Sequence, residues 1–191
     1  MAGRRLPVSW VIGATTVALL AAGVAVLLFG GDDNSDDPVA AGLELTPEAD
    51  LPGSVQEVVL GSLEDGPDRQ LGEFLGTTPV VVNFFGSWCQ PCLEEMPDFE
   101  TVHQESGDQV TFIGLAENDT PDKALDTVAR TGVTYPTFTD ATGAALSYFQ
   151  GLAMPTTVFI GADGEVLEVH SRKLSDDDLR DKLQELYGIG T

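Results

Sequence analysis

The run Pro79–Phe85, PVVVNFF, limits the possible folds more than any other stretch of the chain. Apolar and polar residues do not alternate along it, so it reads as a strand buried on both faces, in the middle of a sheet, rather than one with a wet side. Directly after it, from Pro91 to about Glu105, the apolar residues Leu93, Met96, Phe99 and Val102 follow helical spacing, and Pro97 is expected to kink that helix. Val110–Leu115 is a second buried strand. Thr120 with Pro121 opens a helix that ends near Thr131 and Gly132. TYPTFTD supplies a short strand and GAALSYFQG a short helix, while TTVFI and EVLEVH flank Gly161–Gly164 as a hairpin. Ser175, followed by three aspartates, starts a last helix that runs to about Tyr187 before Gly188. Upstream, Val55–Leu60 is expected to be a strand and RQLGEFLG a turn or short helix. Strands alternating with helices and closing in a hairpin imply an α/β domain with a mixed central sheet flanked by helices.

With 191 residues, 42% of them hydrophobic, the chain can form one domain with its own core and a short appendage. The appendage lies at the N-terminus. Arg4 and Arg5 precede Val8–Phe29, a run without a charged residue. As a helix that run is about 33 Å long, against a hydrocarbon core of about 30 Å. A cleaved signal has an apolar region of only about 7 to 15 residues with small residues soon after it, whereas here the Val39-Ala40-Ala41 candidate follows the acidic DDNSDD. A retained transmembrane signal anchor is therefore expected. No cysteine lies near the end of the run, which excludes a lipoprotein anchor. Residues 1–7 then stay cytoplasmic and everything from Asp32 onward lies outside the cytoplasm, where disulfides are permitted. Residues 30–43, GGDDNSDDPVAAGL, read as a flexible, self-repelling tether, and residues 44–191 as the folded domain.

All 31 acidic residues follow that anchor, against seven of the nine basic ones, so the outer part carries about −24 formal charge. Nucleic acid and bare anionic lipid are poor partners for it. The acidity reads as a solvated surface, and a high-salt habitat would produce the same bias.

The only cysteines are Cys89 and Cys92, spaced CxxC. Zinc needs four ligands, and His103 and His170 are too far apart in sequence to complete a compact set, so no metal site is expected. A disulfide closing so short a loop removes little chain entropy and makes a poor structural staple. A redox pair fits better. Cys89 stands where the buried strand ends and the helix begins, so the free N–H groups and positive dipole end of that helix favour its thiolate, the nucleophilic form. Cys92, one turn along the same face, is placed to attack a mixed disulfide formed at Cys89. Trp88 and Gln90 flank the first sulfur and shape its access. Glu95, three residues after Cys92, is either a proton shuttle for the less exposed thiol or a surface residue like Glu94, and spacing leaves both open. Asn83 occupies a buried strand position and reads as an amide satisfied by backbone groups. Met154-Pro155 enters the strand TTVFI through either a cis or a trans turn. His103 and His170 read as solvated residues without a role.

FFGSWCQPCLEEMP, the later MPTTVFIGADGEV and the order of elements between them resemble the thioredoxin superfamily over roughly residues 44–188. The anchor and the segment from about Asn118 to Thr134 resemble its TlpA/ResA/CcmG-like branch of extracytoplasmic thiol-disulfide oxidoreductases. The resemblance implies that Cys89 is the nucleophile, Cys92 the resolving cysteine and Pro155 a cis-proline facing their redox-active disulfide. It implies that client peptides pair with the backbone at Met154 as an added strand beside Trp88. It tips Glu95 toward an active-site role, and it marks Asn83 as a departure from the buried Asp of many thioredoxins. It further implies reduction of cysteine pairs in clients such as apocytochrome c during cytochrome c maturation, no cofactor, and a membrane electron donor. Two rivals stand beside that reading. One is a general envelope disulfide oxidant or reductase, the other a Cu(I)-binding assembly factor for cytochrome oxidase.

Overall fold

The computed structural model describes residues 51–190. The expected N-terminus 1–7, membrane span 8–29 and tether 30–43 lie outside the described residues.

The first elements are short. Val55–Glu57 is a single 3-10 turn, followed by β1, Val59–Leu60, which pairs antiparallel with β2, Arg69–Gln70, and by a second 3-10 turn at Leu71–Phe74. The strand expected over Val55–Leu60 is thus mostly a turn. Val55 and Val58 are buried while Gln56, Glu57 and Val59 are exposed, a spacing of three that a turn satisfies and an extended strand does not.

The main sheet is built from β3, Val80–Phe85; β4, Thr111–Glu117; β5, Thr137–Asp140; β6, Thr156–Ile160; and β7, Val166–His170. Its order is β5-β4-β3-β6-β7, with β3, β4 and β5 parallel, β6 antiparallel to β3, and β7 antiparallel to β6. All six residues of β3 are buried, in line with its unalternating sequence. Their side chains still divide by face. Val81 and Phe85 join Phe112, Ala116 and Phe159 on one side, and Val80, Val82 and Phe84 join Ile113, Leu115, Val158 and Ile160 on the other.

The first face is covered by α1, Gln90–Ser106; α2, Pro121–Thr131; and α4, Asp176–Tyr187, through Met96, Phe99, Val102, Ala124, Leu179 and Leu183. The second is covered by α3, Ala144–Tyr148, with Ala145, and by the N-terminal segment with Val55 and Leu71 from the two turns and Leu60 from β1. Pro97 lies inside α1 without dividing it. Caps fall where the sequence places them. Gly132 ends α2 in the left-handed conformation (φ 75°), and Ser175 and Asp178 form a reciprocal capping box at the start of α4. A two-pronged Arg180–Glu105 pair, 2.8 and 3.1 Å, ties α4 to α1. The Gly161–Gly164 turn joins β6 to β7, with Gly164 at φ 90° donating to the Gly161 carbonyl at 2.9 Å.

Phe99 joins α1 to the sheet: it is fully buried and meets Phe112 edge-on at 6.5 Å. Phe99→Ala should therefore cost about 3–5 kcal/mol of stability by urea denaturation. A loss under about 1 kcal/mol would mean that α1 does not depend on this packing.

Candidate active site

The turn between β3 and α1 presents the cysteines. Cys89 N–H donates to the Gly86 carbonyl at 3.0 Å, and Ser87 N–H donates to the Asp119 carboxylate at 2.6 Å, which pins the turn to the loop after β4. The Trp88 indole lies over Gly86, where a Cβ atom would come within 2.7 Å of the ring, so any larger residue there would push the indole aside. Trp88 itself is 56% exposed beside the pair.

Cys89 and Cys92 are joined in a disulfide. Cys89 is the N-cap of α1, and its sulfur accepts the Cys92 N–H at 3.3 Å. An anionic sulfur at this position would be stabilised by that N–H and by the helix dipole. Cys89 is 4% exposed and Cys92 not at all, so an incoming sulfur has access only to Cys89.

Behind the pair, one turn along α1, sits Glu95. It is fully buried, which removes the surface alternative that spacing left open; neighbouring Glu94 takes that role, exposed and paired with Lys173 at 3.0 Å. Glu95 accepts the Leu174 N–H at 3.0 Å on one oxygen and the Asn83 amide at 2.8 Å on the other. Burial raises its pKa to about 7, outweighing these two hydrogen bonds and the nearby Lys173 charge, while Asp98 adds to the rise. Asn83 is therefore not satisfied by backbone groups, as its strand position suggested. Its Nδ2 serves Glu95, and its Oδ1 has no partner among the described residues, nor has Oγ1 of Thr157, its neighbour across the sheet.

The third part of the site is the loop before β6. The Met154–Pro155 bond is cis. The register Phe84↔Thr156 continues to bring Pro155 and Met154 alongside the end of β3, the same end of the sheet that carries Cys89. Met154 packs against the cluster containing both cysteines, and Pro155 is buried. Ser171, just after β7, holds this loop: its Oγ accepts the Leu152 N–H at 3.3 Å and lies 2.9 Å from Thr156 Oγ1.

The histidines are packed rather than solvated. The His103 ring sits 5.4 Å from Phe112 and 5.5 Å from Tyr135, with Nδ1 unpartnered among the described residues, and His170 Nδ1 lies 3.3 Å from Glu168. Neither bonds to Cys89, Cys92 or Glu95. Sequence reasoning missed Asp119, Ser171 and Leu174. Leu174 acts through its backbone N–H, 79 positions from Glu95, and a backbone group leaves no signal in residue type.

The sequence profile of the Redoxin family matches residues 51–185. The thiol-disulfide oxidoreductase ResA of Geobacillus thermodenitrificans (strain NG80-2) is 28% identical over 134 residues, 68% of this chain and 74% of that protein. ResA of Halalkalibacterium halodurans is 32% identical over 114 residues, 59% of this chain and 64% of that protein. Among solved structures, MTB dsbF in its mixed oxidised and reduced forms superposes with a TM-score of 0.63 at 27% identity, covering 71% of this chain and 98% of that one.

The raised Glu95 pKa makes stability depend on pH. The folded state holds this proton more tightly than the unfolded chain, whose carboxyl titrates near 4.5. The contribution is complete below that value and is lost as pH rises through about 7, a fall of roughly 3 kcal/mol. Glu95→Gln should flatten this slope, because glutamine does not ionise and its amide can donate to Asn83 Oδ1 once the Asn83 amide turns over. The check is urea denaturation of both oxidised proteins from pH 4 to 9; parallel profiles would contradict the assignment.

Proposed function

The chain belongs to the Redoxin family and is a thiol-disulfide oxidoreductase of thioredoxin fold, of the ResA/CcmG-like type; from that premise we propose that it is anchored in the cell membrane and reduces cysteine pairs of protein clients outside the cytoplasm, apocytochrome c among them. The observation that carries the reading is the pairing of an N-cap sulfur, Cys89, with a carboxyl buried one turn behind its partner Cys92.

In the reduced protein, the Cys89 thiolate attacks one sulfur of a client disulfide. A Cys89–client bond forms, the client S–S bond breaks, and the released client sulfur leaves as a thiolate and takes up a proton. Cys92 then gives its proton to Glu95 and attacks Cys89. The intramolecular disulfide forms as the mixed disulfide breaks, the second client sulfur leaves as a thiolate and takes up a proton in its turn, and the client departs as a dithiol. The client has gained two electrons and the protein has lost two. A donor dithiol restores the starting state by the reverse exchange, and in an oxidising compartment a membrane protein must supply it.

Three features support these roles. Cys92 has no exposed surface, so its proton needs a protein acceptor, and a carboxyl with a pKa near 7 can both take and return it. Trp88 and Met154 flank the accessible sulfur, and a client strand adding beside Met154 and Pro155 would bring its cysteine to Cys89. The uncharged run Val8–Phe29 behind Arg4 and Arg5 supports the anchor and its orientation, with the domain outside.

A Cys92→Ser variant should accumulate mixed disulfides through Cys89 in cells, and mass spectrometry of the trapped species should find apocytochrome c. Trapped clients without any c-type cytochrome would defeat the cytochrome assignment and leave the oxidoreductase intact. After cell breakage, the full chain should stay with membranes through an alkaline carbonate wash; its release would rule out the anchor.

A further inference from the structure

The connection between β7 and α4 touches both the client-facing loop and the buried carboxylate. At its start, Ser171 Oγ accepts the Leu152 N–H at 3.3 Å and lies 2.9 Å from Thr156 Oγ1, so one hydroxyl brackets the cis Met154–Pro155 bond from both sides. Two and three residues later, Lys173 pairs with Glu94 at 3.0 Å and the Leu174 N–H binds Glu95 at 3.0 Å. The Leu174 side chain is 2% exposed and packs in the cluster of Met96 and Phe99, which fixes this end to α1. We propose that Ser171 is a positioning residue, coupling the docking of a client strand on Leu152–Met154 to the hydrogen bonding of Glu95 through residues 171–174.

Length makes the coupling mechanical. Three peptide steps separate Ser171 from Leu174, a reach of at most about 10 Å, with contacts at both ends and little slack between them. The loop that Ser171 holds has Leu152 at its crest, 91% exposed and available to a client's apolar side chain. A client strand pairing with this loop therefore loads Ser171, and the load reaches the Leu174 N–H. That N–H is one of only two hydrogen-bond donors to Glu95 among the described residues, and losing its alignment favours the protonated carboxyl. The other groups that bear on Glu95 lie elsewhere: Asn83 on β3, Asp98 and Cys92 on α1, Lys173 on the connection itself, and the Tyr135 hydroxyl before β5, whose own ionisation is opposed by burial and by the Glu95 charge.

The proposal rests on the reducing role given above, and its test separates the two. The full chain is reduced, freed of reductant and mixed with a synthetic peptide closed by a CxxC disulfide. Single-turnover reduction is followed across peptide concentration and pH. Ser171→Ala should raise the half-saturating peptide concentration roughly tenfold, the size of one lost neutral hydrogen bond, and move the pH midpoint upward by a few tenths of a unit. Ser171→Thr, which keeps the hydroxyl, should restore both, and the reduction potential of the Cys89–Cys92 pair should be unchanged in either variant. A carboxyl-carbon NMR titration of Glu95 reads the same midpoint without turnover. A midpoint in Ser171→Ala equal to that of the wild type overturns the coupling while leaving the reductase intact. A wild-type chain that fails to reduce the peptide overturns the reducing role itself and the proposal with it.

Discussion

Strand β3 is hydrogen-bonded along both edges, to β4 and β6, and covered on both faces, so the six residues that anchor the core also set where the chemistry occurs. Its last residue hands the chain to a three-residue turn and then to the first cysteine. Because the strand cannot shift without exposing one of its faces, the start of α1 is held in place, and with it the N–H groups that face Cys89. The same register brings the cis Met154–Pro155 bond to that end of the sheet from the neighbouring strand.

The polar part of the site depends on a single interruption in this apolar strand. Asn83 replaces a hydrophobic side chain on the face under α1, and its amide supplies a neutral donor to Glu95. An acid in its place would set two carboxyls within hydrogen-bonding distance in a dry interior, where they would have to share a proton. With an amide there, Glu95 keeps its own titration, shifted upward by burial and restrained by the Leu174 N–H and the Lys173 charge. The buried acid therefore titrates as one group near neutrality, the range the proposed exchange with a thiol requires.

The acidic surface and the buried acid obey different physics. Most of the acidic side chains among the described residues are exposed, where charge is solvated at little cost. Glu95 is the only acidic residue of the described region with no exposed surface, and both of its oxygens are hydrogen-bonded. Glu94, one position earlier, faces solvent on the same helix and differs only in which side of the helix it occupies.

Patterns local in sequence were legible: the unalternating β3, the helical spacing of Leu93, Met96, Phe99 and Val102, the caps at Ser175 and Gly132, the hairpin at Gly161–Gly164, and a CxxC pair at a strand-to-helix junction. Each rests on interactions within a few residues, so residue type and spacing determine it. The misread segments depended on distant partners. Val55–Leu60 turns because Val55 and Val58 both reach the core; His103 is packed because Phe112 and Tyr135 close around it; Asn83 meets a side chain rather than backbone because α1 crosses above β3. The sequence by itself thus determined the α/β class, the paired cysteines and which of them heads the helix. Only the tertiary structure decided that Glu95 is buried, that Asn83 and a backbone N–H 79 positions away hold it, and that Ser171 braces the cis-proline loop, because a contact between groups far apart along the chain exists only once the sheet brings them together.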